Sequence, residues 1–191
     1  SRIRDGAEAK ALAPNYLSLV LRQVVFNQFE EALRRDPGDV RANTSLAILY
    51  LKRGMFREAE ERLRAAVNRL TFNYTRPKDG EAYYYLGLAL RRQGKQAEAA
   101  DAFQRAGWSA AWYAASFDQL AEMACAEGDF TKALGYIERS VSADSRNPKA
   151  QDLKAALLRK TGRIEEAIRT AEALRRDDPL DFWILHEIYL S

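Results

Sequence analysis

The stretch EAYYYLGLALRRQGKQAEAADAFQRA, residues 81–106, has the apolar spacing of a helix, yet it carries Gly87 in its first half and Gly94 seven residues later. A glycine in an exposed helix interior costs about 1 kcal/mol relative to alanine, so each of the two must return something. Aligning the rest of the chain on this stretch shows what. Four segments superpose without a gap: SLAILYLKRGMFREAEERLRAAV (45–67), YLGLALRRQGKQAEAADAFQRAG (85–107), QLAEMACAEGDFTKALGYIERSV (119–141) and LKAALLRKTGRIEEAIRTAEALR (153–175). Each has a glycine, Gly54, Gly94, Gly128 or Gly162, and five residues later an alanine, Ala59, Ala99, Ala133 or Ala167; the glycines lie 40, 34 and 34 positions apart. Gly94 and its equivalents follow the last periodic residue of a helix, where positive φ ends it cheaply. Gly87 aligns with Ala47, Ala121 and Ala155 and is the small residue through which a first helix approaches the alanine of a second.

Composition bounds what such repeats can be. With 47% hydrophobic and 30% charged residues over 191 positions, the chain can bury a sizeable core. Thirty basic and 27 acidic residues leave a net charge of only +3, and the signs are interspersed, so no clustered nucleic-acid footprint exists. Cys125 is the one cysteine, which excludes an internal disulfide and a thiolate metal cluster and fits a reducing, cytoplasmic setting. The longest uncharged stretches, 11–21 and 106–117, fall short of the roughly 20 residues of a membrane-spanning helix. There is neither an initiating methionine nor a signal-peptide pattern at Ser1, and the chain is read as a piece of a longer protein.

A 34-residue helix–turn–helix period is that of tetratricopeptide repeats (TPR), and the chain resembles this family over about residues 40–190. The family's leucine–glycine pair is matched by Leu86–Gly87 and more loosely by Leu46–Ala47 and Leu120–Ala121, while Lys154–Ala155 departs from it. The aromatic residue that opens the second helix is Phe56 and Phe130, becomes Ile164 in the fourth repeat, and is Gln96 in the second; a closing proline stands at Pro37 and Pro179. The resemblance implies an all-α fold, an α-α superhelix of about four hairpins plus flanking helices. First helices are expected near 40–53, 80–93, 110–127 and 148–161, and second helices near 56–70, 96–106, 130–143 and 164–176.

The expected organisation is an N-terminal segment 1–14 with little periodicity, read as mobile; a half-repeat helix within 15–39, with Phe29 and Ala32 in second-helix slots; repeats at 40–79, 80–113, 114–147 and 148–181; and a capping helix or truncated repeat at 182–191. The first repeat exceeds the period by six residues, and LTFNYTRPKD (70–79) is expected to protrude as a loop because Pro77 disfavours helix before it. GWSAAWYAASF (107–117) keeps register, with Ser109 placed to cap the following helix. Its aromatics, Trp108, Trp112, Tyr113 and Phe117, are read as a joint between repeats rather than an exposed platform.

Reaction chemistry finds no constellation. His186 is the one histidine, so paired-histidine catalysis and histidine-rich metal sites are out, and no nucleophile motif supports a triad. The carboxylate pairs Glu30–Glu31, Glu60–Glu61, Glu165–Glu166 and Asp177–Asp178 are adjacent in sequence, and neighbouring helical residues do not face each other. No Walker-type glycine loop occurs. Cys125 sits among small residues and is read as packing. The expectation is a non-enzyme that needs no cofactor and no metal.

What remains is surface, and solenoid repeats bind along the wall lined by their first helices. The helical period nominates Arg41, Thr44, Ile48 and Lys52 from the first repeat and Tyr84, Tyr85, Leu88, Arg91 and Arg92 from the second. It adds Asp118 and Glu122 from the third repeat and Lys149 and Asp152 from the fourth. Tyrosine and arginine are enriched in binding hot spots, which puts Tyr84 to Arg92 first. The TPR subgroup that holds a chaperone's terminal carboxylate is not matched, because Thr44, Ile48, Leu88 and Glu122 stand among the basic residues of these faces. The function expected is a scaffold for a protein or peptide segment, or for another domain of the same chain, with self-association open and membrane contact excluded. The runs 69–94 and 106–116 are also similar to the TPR tail of large bacterial proteins that carry a β-sandwich region, which implies an accessory role beside a carbohydrate-related domain. The reading from another class is single-stranded RNA binding, since 22 arginines are present; it needs like polar side chains at like slots, and these differ.

Overall fold

The computed structural model describes residues 23–72, 79–179 and 182–190. Among these the regular structure is α-helix throughout. The described part of α1 covers residues 23–35, followed by α2 (Val40–Lys52), α3 (Phe56–Thr71), α4 (Glu81–Arg92) and α5 (Gln96–Ala106). Beyond them come α6 (Ala110–Ala126), α7 (Phe130–Ala143), α8 (Pro148–Lys160), α9 (Ile164–Asp177) and α10 (Phe182–Leu190). These ends agree with the spacing-based map to within a residue or two. Helix α3 runs on through Thr71, into the segment expected as loop, and residues 73–78 of that segment lie outside the described ones. So do the N-terminal segment 1–14 and the expected start of the half-repeat helix.

The four turn glycines are in the left-handed region, with φ of 74° at Gly54, 78° at Gly94, 80° at Gly128 and 81° at Gly162. Each closes its helix with the same two bonds. Gly54 N–H donates to Leu51 O at 3.1 Å and Met55 N–H to Tyr50 O at 3.0 Å. Gly94 and Lys95, Gly128 and Asp129, and Gly162 and Arg163 repeat the pattern. This is the Schellman arrangement, which satisfies the last carbonyls of a helix and needs a residue without Cβ strain at the turn.

Starts are less uniform. Asp39, Asp129 and Asn147 cap α2, α7 and α8 by accepting from Ala42, Lys132 and Ala150 N–H, and Pro148 stands where its missing N–H costs nothing. Ser109 holds the N-cap position of α6 but makes no side-chain cap bond, contrary to expectation.

The chain divides into two compact units, Ser1–Asn73 and Tyr74–Ser191. In the first, α2 packs on α3, and Phe29 and Ala32 of α1 lie against Leu33, Ala42 and Leu46. In the second, α4 pairs with α5, α6 with α7 and α8 with α9, each hairpin stacks on the next through α5–α6 and α7–α8, and α10 lies on α9 and α8. The small slots are at the hairpin centres: Ala47, Ala59, Ala99, Ala121, Ala133, Ala155 and Ala167 are each at most 1% exposed. A Cβ on Gly87 would stand 2.6 Å from Cε1 of Phe103.

A charged groove across three first helices

Within the second unit the first helices α4, α6 and α8 come from successive hairpins. Residues Leu88, Arg91 and Arg92 of α4, Gln119, Glu122, Met123 and Ala126 of α6, and Lys149 of α8 line a cavity of ≈ 660 Å³, together with Gln96 and Glu127. Five of the thirteen residues nominated from sequence, Leu88, Arg91, Arg92, Glu122 and Lys149, are thereby brought together. Glu122 is the centre. Arg91 Nη1 donates to its Oε2 at 2.8 Å and Lys149 Nζ to its Oε1 at 2.6 Å, so one carboxylate ties three helices. The same Arg91 nitrogen donates to Gln119 Oε1 at 2.7 Å. Burial would push the Glu122 carboxyl up, but hydrogen bonds from Lys149 and Arg91 outweigh it and hold the group below the usual glutamate range. Burial raises the Cys125 thiol and the Glu122 charge adds to this, so the half-buried sulfur stays protonated and weakly nucleophilic.

N-terminal to this cavity the wall turns aromatic. Tyr84 lies against Trp112 with ring centroids 4.9 Å apart, and Tyr85 meets both rings edge-on at 5.5 and 5.7 Å. Trp112 Nε1 donates to Asp79 Oδ1 at 3.1 Å. Burial raises the Tyr84 hydroxyl above its ordinary value, and the charges of Asp118 and Glu122 add to that. Of the three consecutive tyrosines, Tyr83 is the core residue. Tyr84 and Tyr85 are half-buried under Trp112, so part of the patch expected to meet a partner serves to join repeats.

The aromatics of 107–117 divide between two sides of α6. Trp112 joins the tyrosines, while Phe117, 5% exposed, packs against Tyr113 and Tyr136 beneath the Arg139 guanidinium, 4.2 Å from its ring centroid. Trp108 is 44% exposed beside Arg105. A joint between repeats is what most of the cluster forms, with Trp108 outside it.

The other nominated residues sit differently. Asp118 Oδ2 accepts from Asn147 Nδ2 at 3.0 Å; burial raises its carboxyl against the opposing effects of Ser140, Lys149 and Asn147. Asp152 is half-buried next along α8. In the first unit, Arg41 and Lys52 are exposed and Ile48 half-buried, but Thr44 is almost wholly buried and is not presented for contact as expected. Gln119, Met123, Ala126 and Gln96 escaped the sequence reading. Gln119 and Met123 lie three residues before and one after Glu122, so the helical period did carry a signal for Gln119. Asn43, in a glycosylation-type triplet, is fully buried and donates to Pro37 O and Asp39 O.

Among the described residues no group of three or more His, Cys, Asp or Glu is placed to hold a metal, and no helix is long and apolar enough to cross a membrane. His186 is exposed on α10.

Hairpins of this period, closed by left-handed glycines and packed through small residues, define a helical-repeat protein. The TPR family model matches residues 44–115 and a second TPR model residues 124–185, both described as tetratricopeptide repeat, and the chain belongs to that family. Solved structures agree on the fold. The crystal structure of MamA superposes with TM-score 0.69 at 24% identity, over 81% of this chain and 86% of that one. PilW, described as a widely conserved type IV pilus biogenesis factor, gives 0.71 at 17% over 92% and 78%. YrrB, described as a TPR protein with an unusual peptide-binding site, gives 0.67 at 20% over 90% and 86%.

Proposed function

We propose that the chain is a non-enzymatic scaffold that binds an extended protein segment along the wall formed by α4, α6 and α8. The observation that carries this reading is the cavity of ≈ 660 Å³ lined from three successive first helices, where a segment crossing the repeats meets Leu88, Met123 and Ala126 among charged and amide side chains. The peptide-binding site of YrrB supports it as a precedent in a similar fold. The segment belongs to a cytoplasmic partner or to another domain of the same chain; the resemblance of runs 69–94 and 106–116 to TPR tails of large bacterial β-sandwich proteins favours the second source. RNA reading requires like side chains at like slots, whereas the slot of Leu88 is Ile48, Glu122 and Ala156 in the other repeats.

Photo-crosslinking tests this. A benzoyl-phenylalanine replacing Arg92 or Gln96 is expected to give discrete protein adducts in cells or, for an intramolecular partner, a shifted full-length chain. The same group replacing Glu172, exposed on α9, is expected to give none. Equal adducts from the two faces would overturn the reading.

A further inference from the structure

Resting on that reading, we infer that the groove recognises an acidic peptide segment, one carboxylate of which binds Arg91 and Lys149 in the place now held by Glu122, with Arg92 engaging a second acceptor at the rim. The hydrogen-bonding capacity left in the cavity points this way. Both oxygens of Glu122 are used, one by Arg91 and one by Lys149. Glu127 is 3.7 Å from Lys132. The acceptors of the central carboxylate are therefore engaged, while donors are left over. An arginine carries five N–H groups and a lysine three. Among the described residues Arg91 uses only Nη1, Lys149 makes one bond to Glu122, and Arg92 makes none. The Gln119 amide spends its oxygen on Arg91 and keeps its NH₂. A lining whose central carboxylate is occupied and whose cations keep spare donors is complementary to acceptors carrying negative charge.

Of the three cations Arg91 is the one held in place, whereas the Lys149 side chain is 77% exposed. The Arg91 side chain is 28% exposed and Glu122 25%, so Glu122 presents Arg91 as a preformed site and acts as an internal stand-in for a ligand carboxylate. Leu88 and Met123 favour an apolar residue beside the acid, and this separates a peptide from a polyanion, whose binding would need only the charges.

The test is selection of a random linear dodecapeptide phage library on the intact chain. Enriched peptides are expected to carry Asp or Glu within three positions of an apolar residue. The synthetic winner is expected to lose about tenfold in affinity when its acid becomes the amide, and about tenfold again on Arg92→Gln with Lys149→Gln, both exposed positions. Glu122→Gln is expected to tighten binding several-fold, because it removes the competing carboxylate; a role confined to holding the helices together would weaken it instead. Winners without acids that still compete at the groove would overturn the acidic preference and leave the groove reading standing. Absence of any enriched peptide sensitive to Arg92→Gln or Leu88→Glu would overturn the groove reading itself. Tighter binding of a lysine-containing winner, or of a uridine oligonucleotide with a steep salt dependence, would overturn the proposal in favour of those ligands.

Discussion

Gly87 and Phe103 show how volume is divided within a hairpin. The slot four residues after each second-helix alanine holds Leu63, Phe103, Ile137 and Ala171, and the facing slot on the first helix holds Ala47, Gly87, Ala121 and Ala155. The glycine stands opposite the largest partner. A Cβ there would lie 2.6–2.8 Å from three ring atoms of Phe103, a wholly buried side chain with nowhere to retreat. Gly87→Ala should therefore destabilise by about 1–3 kcal/mol, although alanine is the better helix former by about 1 kcal/mol. Combined with Phe103→Leu, which restores the pair found in the first repeat, the alanine should recover most of that loss. Urea unfolding of the two single variants and the double variant measures the coupling directly; additive effects would mean that the two positions do not share one space.

At the level of the helix, what was legible follows from what the backbone demands. The turn glycines and small slots were readable because a left-handed residue and a close helix approach each leave very few acceptable residue types. Ser109 misled because occupying an N-cap position does not oblige the hydroxyl to accept a bond. The Glu122 junction was only half legible: the helical period put Arg91, Glu122 and Lys149 on inner faces, but which of them meet is set by the packing of α4, α6 and α8 between hairpins. For α10 the sequence offered a cap over the last hairpin or the start of a truncated repeat, while the residues that attach it were less legible still. In the last hairpin the slot filled by Leu63, Phe103 or Ile137 elsewhere holds Ala171, and Ile184 of α10 packs against Ala155 and Ala171 in its place. Arg159 Nε and Nη2 donate to Glu187 Oε2 and Oε1 at 2.8 and 3.3 Å, with Glu187 only 3% exposed. Removing one partner of such a buried pair costs about 3–5 kcal/mol. Glu187→Ala is thus expected to release α10, seen as hydrogen-exchange protection lost over 182–190 and the C-terminal half of α9 while α4–α7 keep theirs. Retained protection of α10 would show that it docks without the ion pair.

Over the whole molecule, stability in repeat proteins approximates a sum of repeat and nearest-interface contributions. The two units are unequal under that rule. Among its described residues Tyr74–Ser191 holds three hairpins and α10, with buried clusters from Ala121 through Ile137 to Leu158 and at Ile184. The described residues of Ser1–Asn73 hold a single hairpin and α1 over the cluster of Leu33, Ala42 and Leu46. A domain of that smaller size seldom gains more than about 3–5 kcal/mol from its core. Expressed separately, residues 79–191 are expected to keep their helical circular dichroism and to unfold cooperatively in urea at a midpoint close to that of the main transition of the intact chain. Residues 1–72 are expected to unfold at a clearly lower midpoint, because fewer interfaces are summed. If the larger piece lost its cooperative transition while the smaller kept one, the stability would be centred on the first hairpin, and the groove over α4, α6 and α8 would depend on residues outside its own unit.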